Sequence, residues 1–236
     1  MSTDLSRINS QYDRLALFDI DYTLTVGFEA DSIAFDEALK NVYGLDVSDD
    51  PIDFIGKTHM QIATEILLKH GFDQFTIKSK LHKSMDYMVA RYNELADSYH
   101  IEALEGTKEL LNALREKGVL LGLITGNVEA IAWGKVNRAG LGEYFKFGAF
   151  GSDDIERSNL IRIAIRKAEE GYGFIFHNNV FVLGDSPRDI SAGRKVGVKT
   201  IGVTTGIFSR QQLLDSGADY VVKNLLDTNK ILKIIL

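Results

Sequence analysis

The 236 residues contain no cysteine, only two prolines and no run of about 18 apolar residues, the length needed to span a bilayer. Without thiols there is no disulfide, no zinc–thiolate site, no iron–sulfur cluster and no cysteine nucleophile. With so few prolines, little in the sequence forces helices or strands to break, and regular structure should dominate. An excess of positive charge is missing as well. Lys and Arg number 27 against 33 Asp and Glu, a formal net charge of −6, and no basic stripe suggests a nucleic-acid partner. The opening MSTDLSRINSQYDR has no apolar core, so no secretory signal is expected. A cytoplasmic address with neither membrane nor nucleic acid as partner is the expectation. What remains, 45% hydrophobic and 25% charged residues, is the composition of a globular chain with a substantial core.

Short apolar runs alternate with longer stretches of helical period. Leu15–Phe18, Val119–Ile124, Val180–Leu183 and Val198–Val203 read as strands, with Tyr220–Val222 a shorter one. Continuous apolar runs suit parallel strands covered on both faces. Between them Thr107–Lys117, Glu129–Arg138, Asn159–Glu170, Ile190–Val196, Arg210–Ser216 and Asp227–Leu236 read as helices. The alternation predicts an α/β fold, a doubly wound parallel sheet.

Residues 27–100 break that alternation. Asp31–Tyr43, Met60–His70 and Thr76–Ala96 read as helices with no strand among them. The segment holds 7 of the Lys and Arg and 13 of the Asp and Glu, so it carries the whole net charge while the rest is balanced. A separate helical domain inserted after the first strand is predicted, with residues 1–26 and 101–236 forming the core.

Three strands run into polar sequence: LFDIDYTLT with Asp19 and Asp21, LITGN with Thr125, Gly126 and Asn127, and VLGDSPRD with Asp185, Ser186 and Asp189. In an open parallel sheet the carboxyl ends of the strands line one crevice, where ligands bind. Converging carboxylates repel unless a cation or a shared proton intervenes. With no matched cationic cluster, a hard cation with oxygen ligands is expected, Mg²⁺ first, and with it a phosphate substrate. Each motif also has a purely structural reading. Asp after a strand forms turns. Ser186, Pro187 and Asp189 fit the N-cap, first and third positions of a helix. Asn127 fits an N-cap.

In this order the motifs resemble the haloacid dehalogenase superfamily, in its phosphoglycolate-phosphatase-like branch with a helical cap. Asp19-Ile20-Asp21-Tyr22-Thr23 matches the first motif, Thr125 the second, and Gly184-Asp185-Ser186-Pro187-Arg188-Asp189 the fourth. Tyr22 stands where many members have glycine. The usual lysine of the third motif is missing from GSDDIERSNLIRIAIRKA, where Arg157 takes the expected helix start and Lys135 is the fallback.

The resemblance implies a nucleophile at Asp19, forming an aspartyl-phosphate, and an acid/base at Asp21. It implies Mg²⁺ held by the Asp19 carboxylate, the Asp21 carbonyl and Asp185. Thr125, Gly126 and Arg157 would bind phosphoryl oxygens, with Asn127, Ser186 and Asp189 supporting. The cap would select the substrate through the loop Phe54-Ile55-Gly56-Lys57-Thr58, with Lys57 facing a substrate anion or, equally, exposed on a turn. Apart from the resemblance, Gly27 and Gly106 flank the insert, and the permissive glycine backbone makes them candidate hinges. The implied activity is hydrolysis of a small phosphorylated metabolite such as phosphoglycolate or a phosphosugar. A phosphosugar mutase of the β-phosphoglucomutase type and a non-catalytic phosphate-binding protein are the rivals. Asp21 favours ester chemistry over dehalogenation, since an alkoxide needs a proton on leaving and a halide does not.

Overall fold

The structure, a computed structural model, describes residues 12–48 and 53–236. The first eleven residues, and Asp49 and Asp50 of the acidic insert, lie outside the described residues. Strands β1 (Arg14–Phe18), β4 (Val119–Thr125), β5 (Phe147–Phe150), β6 (Val180–Gly184), β7 (Lys199–Val203) and β8 (Tyr220–Val222) form one six-stranded sheet in the order β5-β4-β1-β6-β7-β8. Every pairing in it is parallel.

Side chains alternate across the sheet and so divide each strand between two cores. From β1, β4 and β6, the residues Ala16, Phe18, Leu121, Leu123, Phe181 and Leu183 face one side. There they meet α4 (Thr107–Glu116), α5 (Glu129–Arg138) and α9 (Thr228–Ile235). Leu15, Leu17, Leu120, Ile124, Val180 and Val182 face the other side and meet α6 (Arg157–Tyr172) and α7 (Pro187–Val196). Burial on both faces is why these strands read as unbroken apolar runs. The remaining helix, α8 (Arg210–Asp215), packs Leu213 on Ile190 and Val221. The doubly wound sheet expected from the alternation is present. It contains one strand more than the apolar runs mark, β5.

Between β1 and α4 the chain leaves the sheet. A two-residue antiparallel ribbon, β2 (Thr25–Val26) with β3 (Glu102–Ala103), carries it out and back. Gly27 (φ 100°) lies so close to the returning chain that a Cβ would come within 2.2 Å of the His100 carbonyl oxygen. The helices α1 (Glu29–Tyr43), α2 (His59–Lys69) and α3 (Gln74–Leu95) share their own core of Ala34, Phe35, Leu39, Ile62, Leu67, Ile77 and Met88. Val128 and Ile131 at the start of α5 join that core, so the helical layer rests directly on the α/β layer. Among the described residues, no helix is long and apolar enough to cross a membrane.

Candidate active site

The carboxyl ends of β1, β4, β5 and β6 deliver the polar residues to one place. Asp19 follows β1, Thr125 ends β4, Arg157 opens α6 after β5, and Asp185 follows β6. All four line a cavity of about 140 Å³ together with Asp21, Gly126, Asn127 and Lys57. Ser186 and Asp189 lie just behind it, at the start of α7.

Past Asp19 the chain turns sharply, with the amides of Thr23, Leu24 and Thr25 all donating to the Ile20 carbonyl. The turn places Tyr22 at φ 58°, the only non-glycine residue with positive φ among the described residues. That left-handed conformation costs a side-chain-bearing residue about 1–2 kcal/mol, which is why glycine suits the position.

Arg157 is buried and forks between two carboxylates. Its Nη2 donates to Asp19 Oδ1 at 2.6 Å and its Nε to Asp189 Oδ1 at 2.6 Å. The second oxygen of Asp189 accepts from the Ser186 hydroxyl at 2.6 Å and the Ser186 amide at 3.2 Å, closing the capping box expected at this helix start. Asp189 therefore serves both as a cap and as the anchor of Arg157. The helix begins at Arg157 itself, with Glu156 at the N-cap.

Lys135 does not share Asp19. It is fully buried, and its Nζ donates to Asp21 Oδ1 at 2.8 Å, to Asp31 Oδ2 at 2.5 Å and to Asn127 Oδ1 at 3.0 Å. Asn127 in turn donates to Asp21 Oδ2 at 2.7 Å and to the Thr125 hydroxyl at 2.8 Å. It belongs to this network rather than capping α5, whose N-cap is Val128. The Thr125 oxygen also accepts from the Asn127 amide, which leaves its own proton available to another acceptor. Asp31, on α1, is a member of the site to which none of the sequence motifs points.

The two aspartates of the first motif sit in opposite electrostatic settings. Burial pushes the Asp19 carboxyl up to about 7, with Arg157 only partly offsetting it. Burial also acts on Asp21, but the Lys135 ammonium and the Asn127 amide outweigh it and hold that carboxyl below its usual range. Asp185 is pushed up to about 8 by burial and by the charges of Asp19 and Asp189.

A divalent cation fits this arrangement. Oxygens of Asp19, Asp185 and Asp189 lie within 4.8 Å of one another. Arg157 pairs with Asp19 and Asp189 but not with Asp185, so the trio, once ionised, carries two charges more than Arg157 balances. The Oδ2 of Asp185 is buried without a hydrogen-bond partner, the signature of a group that awaits a ligand.

The loop Phe54–Thr58 closes the cavity from the helical layer. The His59 amide donates to the Gly126 carbonyl at 2.9 Å, and Arg188 Nη1 to the Ile55 carbonyl at 2.6 Å. Lys57 stands on the cavity wall with its ammonium 3.1 Å from Asp53 and 2.6 Å from Glu65. A Cβ on Gly126 would come within 2.0 Å of the Lys57 carbonyl oxygen. Gly126→Ala is therefore expected to push this loop away and cost about 1–3 kcal/mol by overpacking. Urea unfolding tests it, and a variant as stable as the parent contradicts this seating of the loop.

A phosphoglycolate phosphatase from Vibrio vulnificus is 25% identical over 227 residues, covering 92% of this chain and 95% of its own length. Pyrophosphatase PpaX from Halalkalibacterium halodurans is 28% identical over 146 residues, 61% of this chain and 67% of its own. The crystal structure of a hydrolase from Pseudomonas syringae shares the fold at a TM-score of 0.71, with 20% identity, covering 94% of this chain and 99% of its own. Residues 16–203, from β1 through β7, match the family described as haloacid dehalogenase-like hydrolase, and the chain belongs to that family.

Proposed function

We propose that the protein is a Mg²⁺-dependent phosphatase that hydrolyses a small phosphomonoester through an aspartyl-phosphate on Asp19. The observation that carries this reading is the placement of Asp19 and Asp21 over one cavity, each held by its own cation, Asp19 by the guanidinium of Arg157 and Asp21 by the ammonium of Lys135. The names of its relatives, a phosphoglycolate phosphatase and a pyrophosphatase, support the same class of chemistry.

In the first step a carboxylate oxygen of Asp19 attacks phosphorus in line, the bond to the leaving oxygen breaks, and Asp21, whose carboxyl the bound phosphate anion draws back up against the pull of Lys135, gives that oxygen its proton. In the second step Asp21 takes a proton from water, which attacks the same phosphorus and releases Asp19. Arg157 holds Asp19 by one nitrogen in a rigid fork and balances its charge. The Thr125 hydroxyl and the Gly126 amide hold phosphoryl oxygens. Asn127 and Lys135 fix the Asp21 carboxyl by both oxygens, so the proton is delivered from a set position. Asp19, Asp185 and the backbone carbonyl of Asp21 would hold Mg²⁺, with Ser186 and Asp189 behind them. When bound, the ion neutralises the anions that must meet during transfer.

We assign residues 27–100 as a cap that excludes water and selects the substrate, on a core of residues 1–26 and 101–236. Phosphate release from a panel of phosphomonoesters, with Mg²⁺ and with a chelator, tests the reading. Turnover that needs the metal is expected. Absence of turnover on every ester, or dependence on a sugar bisphosphate activator, overturns it.

A further inference from the structure

Resting on that proposed function, we infer that the alcohol released by this site carries an apolar or aromatic face and no second anionic group. Besides the aspartates, the cavity is lined by Tyr22, Phe28, Phe35, Phe54, Ile55 and Ile62. Three of the rings form a chain, with centroids 5.5 Å apart for Tyr22 and Phe28 and 6.3 Å for Phe28 and Phe54. Phe54 remains 47% exposed, a large ring left open on a cavity wall. Binding clefts for small organic groups are lined in this way.

Tyr22 adds an independent sign. Its backbone is held at φ 58°, where a side chain is disfavoured, and the ring so placed packs against Phe28 and lines the cavity. Strain retained at a cleft points to a use for the side chain that causes it.

The charges on the wall say what the leaving group lacks. Lys57 is held between Asp53 and Glu65, and Asp53 also binds Arg188 at 2.8 Å. These two cations and two carboxylates cancel. His59 is neutral, since burial and the nearby Lys135 push its imidazole down to about 3, and its Nδ1 accepts from the Val128 amide at 3.4 Å. Lys135 is enclosed by Asp21 and Asp31. Beyond the phosphoryl end, every cation on the wall is already matched. Asp36, half-buried on α1, lines the same cavity and has no hydrogen-bond or ion-pair partner among the described residues. An unpaired carboxylate accepts a hydroxyl or an N–H and repels an anion. A carboxylate-bearing alcohol or a second phosphate, the groups named for two of the relatives, meets no free cation here.

The test is kcat/KM for phenyl phosphate against 4-carboxyphenyl phosphate, a pair of similar shape and similar leaving-group basicity, with Mg²⁺ present. The phenyl ester is expected to be preferred by about tenfold or more, because like charges brought together oppose binding. Phe54→Ala, at an exposed position that leaves folding intact, should raise KM for the phenyl ester about tenfold through lost apolar contact. Asp53→Asn with Glu65→Gln, which frees Lys57, should narrow the gap between the two esters. Equal or better use of the carboxylated ester by the parent protein overturns the inference while the phosphatase reading stands. So does a phenyl preference that both variants leave untouched. Release of phosphate from neither ester removes the phosphatase reading and the inference with it.

Discussion

Replacing Asp19 with Asn is expected to reduce phosphate release on the order of 10⁴-fold or more, because the amide cannot form the covalent intermediate. The fold should survive, since Asn keeps the oxygen that accepts from Arg157, and Arg157 keeps Asp189. In metal-free buffer the variant should be more stable than the parent near pH 8. The Asp19 carboxyl is pushed from 3.8 to about 7, so the folded state takes up its proton more readily than the unfolded chain does. As pH rises from 4 to 8 the parent loses stability on this account, and the variant does not. Thermal unfolding with and without Mg²⁺ reads both effects. Mg²⁺ should raise the parent's Tm more than the variant's. An Asp19→Asn variant with more than about a hundredth of the parent rate contradicts the role of Asp19 as nucleophile.

Lys135→Met should cost about 3–5 kcal/mol, the penalty for stranding a buried charge. Two carboxylates lose their ammonium at once, one on the β1 turn and one on α1. Asp31 is already pushed up to about 6 by burial against the opposing pull of Lys135. Without the lysine its carboxyl rises further above the unfolded value. Stability of the variant then falls as pH rises above 4, and its deficit against the parent is larger at pH 8 than at pH 6. Adding Asp31→Asn should restore part of the loss, because one of the stranded charges is gone. Urea unfolding of both variants at the two pH values provides the check. A loss under about 1 kcal/mol, typical of an exposed pair, contradicts the buried pairing.

The sheet could be read from the sequence because its strands are buried on both faces and so stand out as apolar runs. β5 escapes such a reading because Phe147–Phe150 is four residues long, contains Gly148 and has no β-branched residue to mark it. The ribbon of β2 and β3 is two residues on each side, and its pairing spans the whole insert, so no local pattern announces it. Asp19, Asp21, Thr125 and Asp185 could be brought together on paper because each follows an apolar run, and the topology of a parallel sheet does the rest, whereas Arg157 is reached only through the helix start that the family resemblance expects. The Lys135–Asp31 pair joins two helices from different layers, a contact that sequence spacing does not encode. One signal was there. Lys135 shares a helix face with Ile131, Ala132 and Val136, and a charge on an apolar stripe needs a buried partner.

The order of the strands bears on how the protein is made. β1 carries the nucleophile, yet its hydrogen-bonding neighbours β4 and β6 begin more than a hundred residues further along the chain. At about 5–20 residues per second, a ribosome takes some ten seconds or longer to deliver β6 after β1 has emerged. Until β4 emerges both edges of Leu15–Phe18 lack their partners, and one edge still lacks its partner until β6 follows, an open strand edge to which a neighbouring nascent chain can pair. The helical layer, whose contacts between α1 and α3 are closer in sequence, can assemble in the meantime and shelter the turn that follows β1.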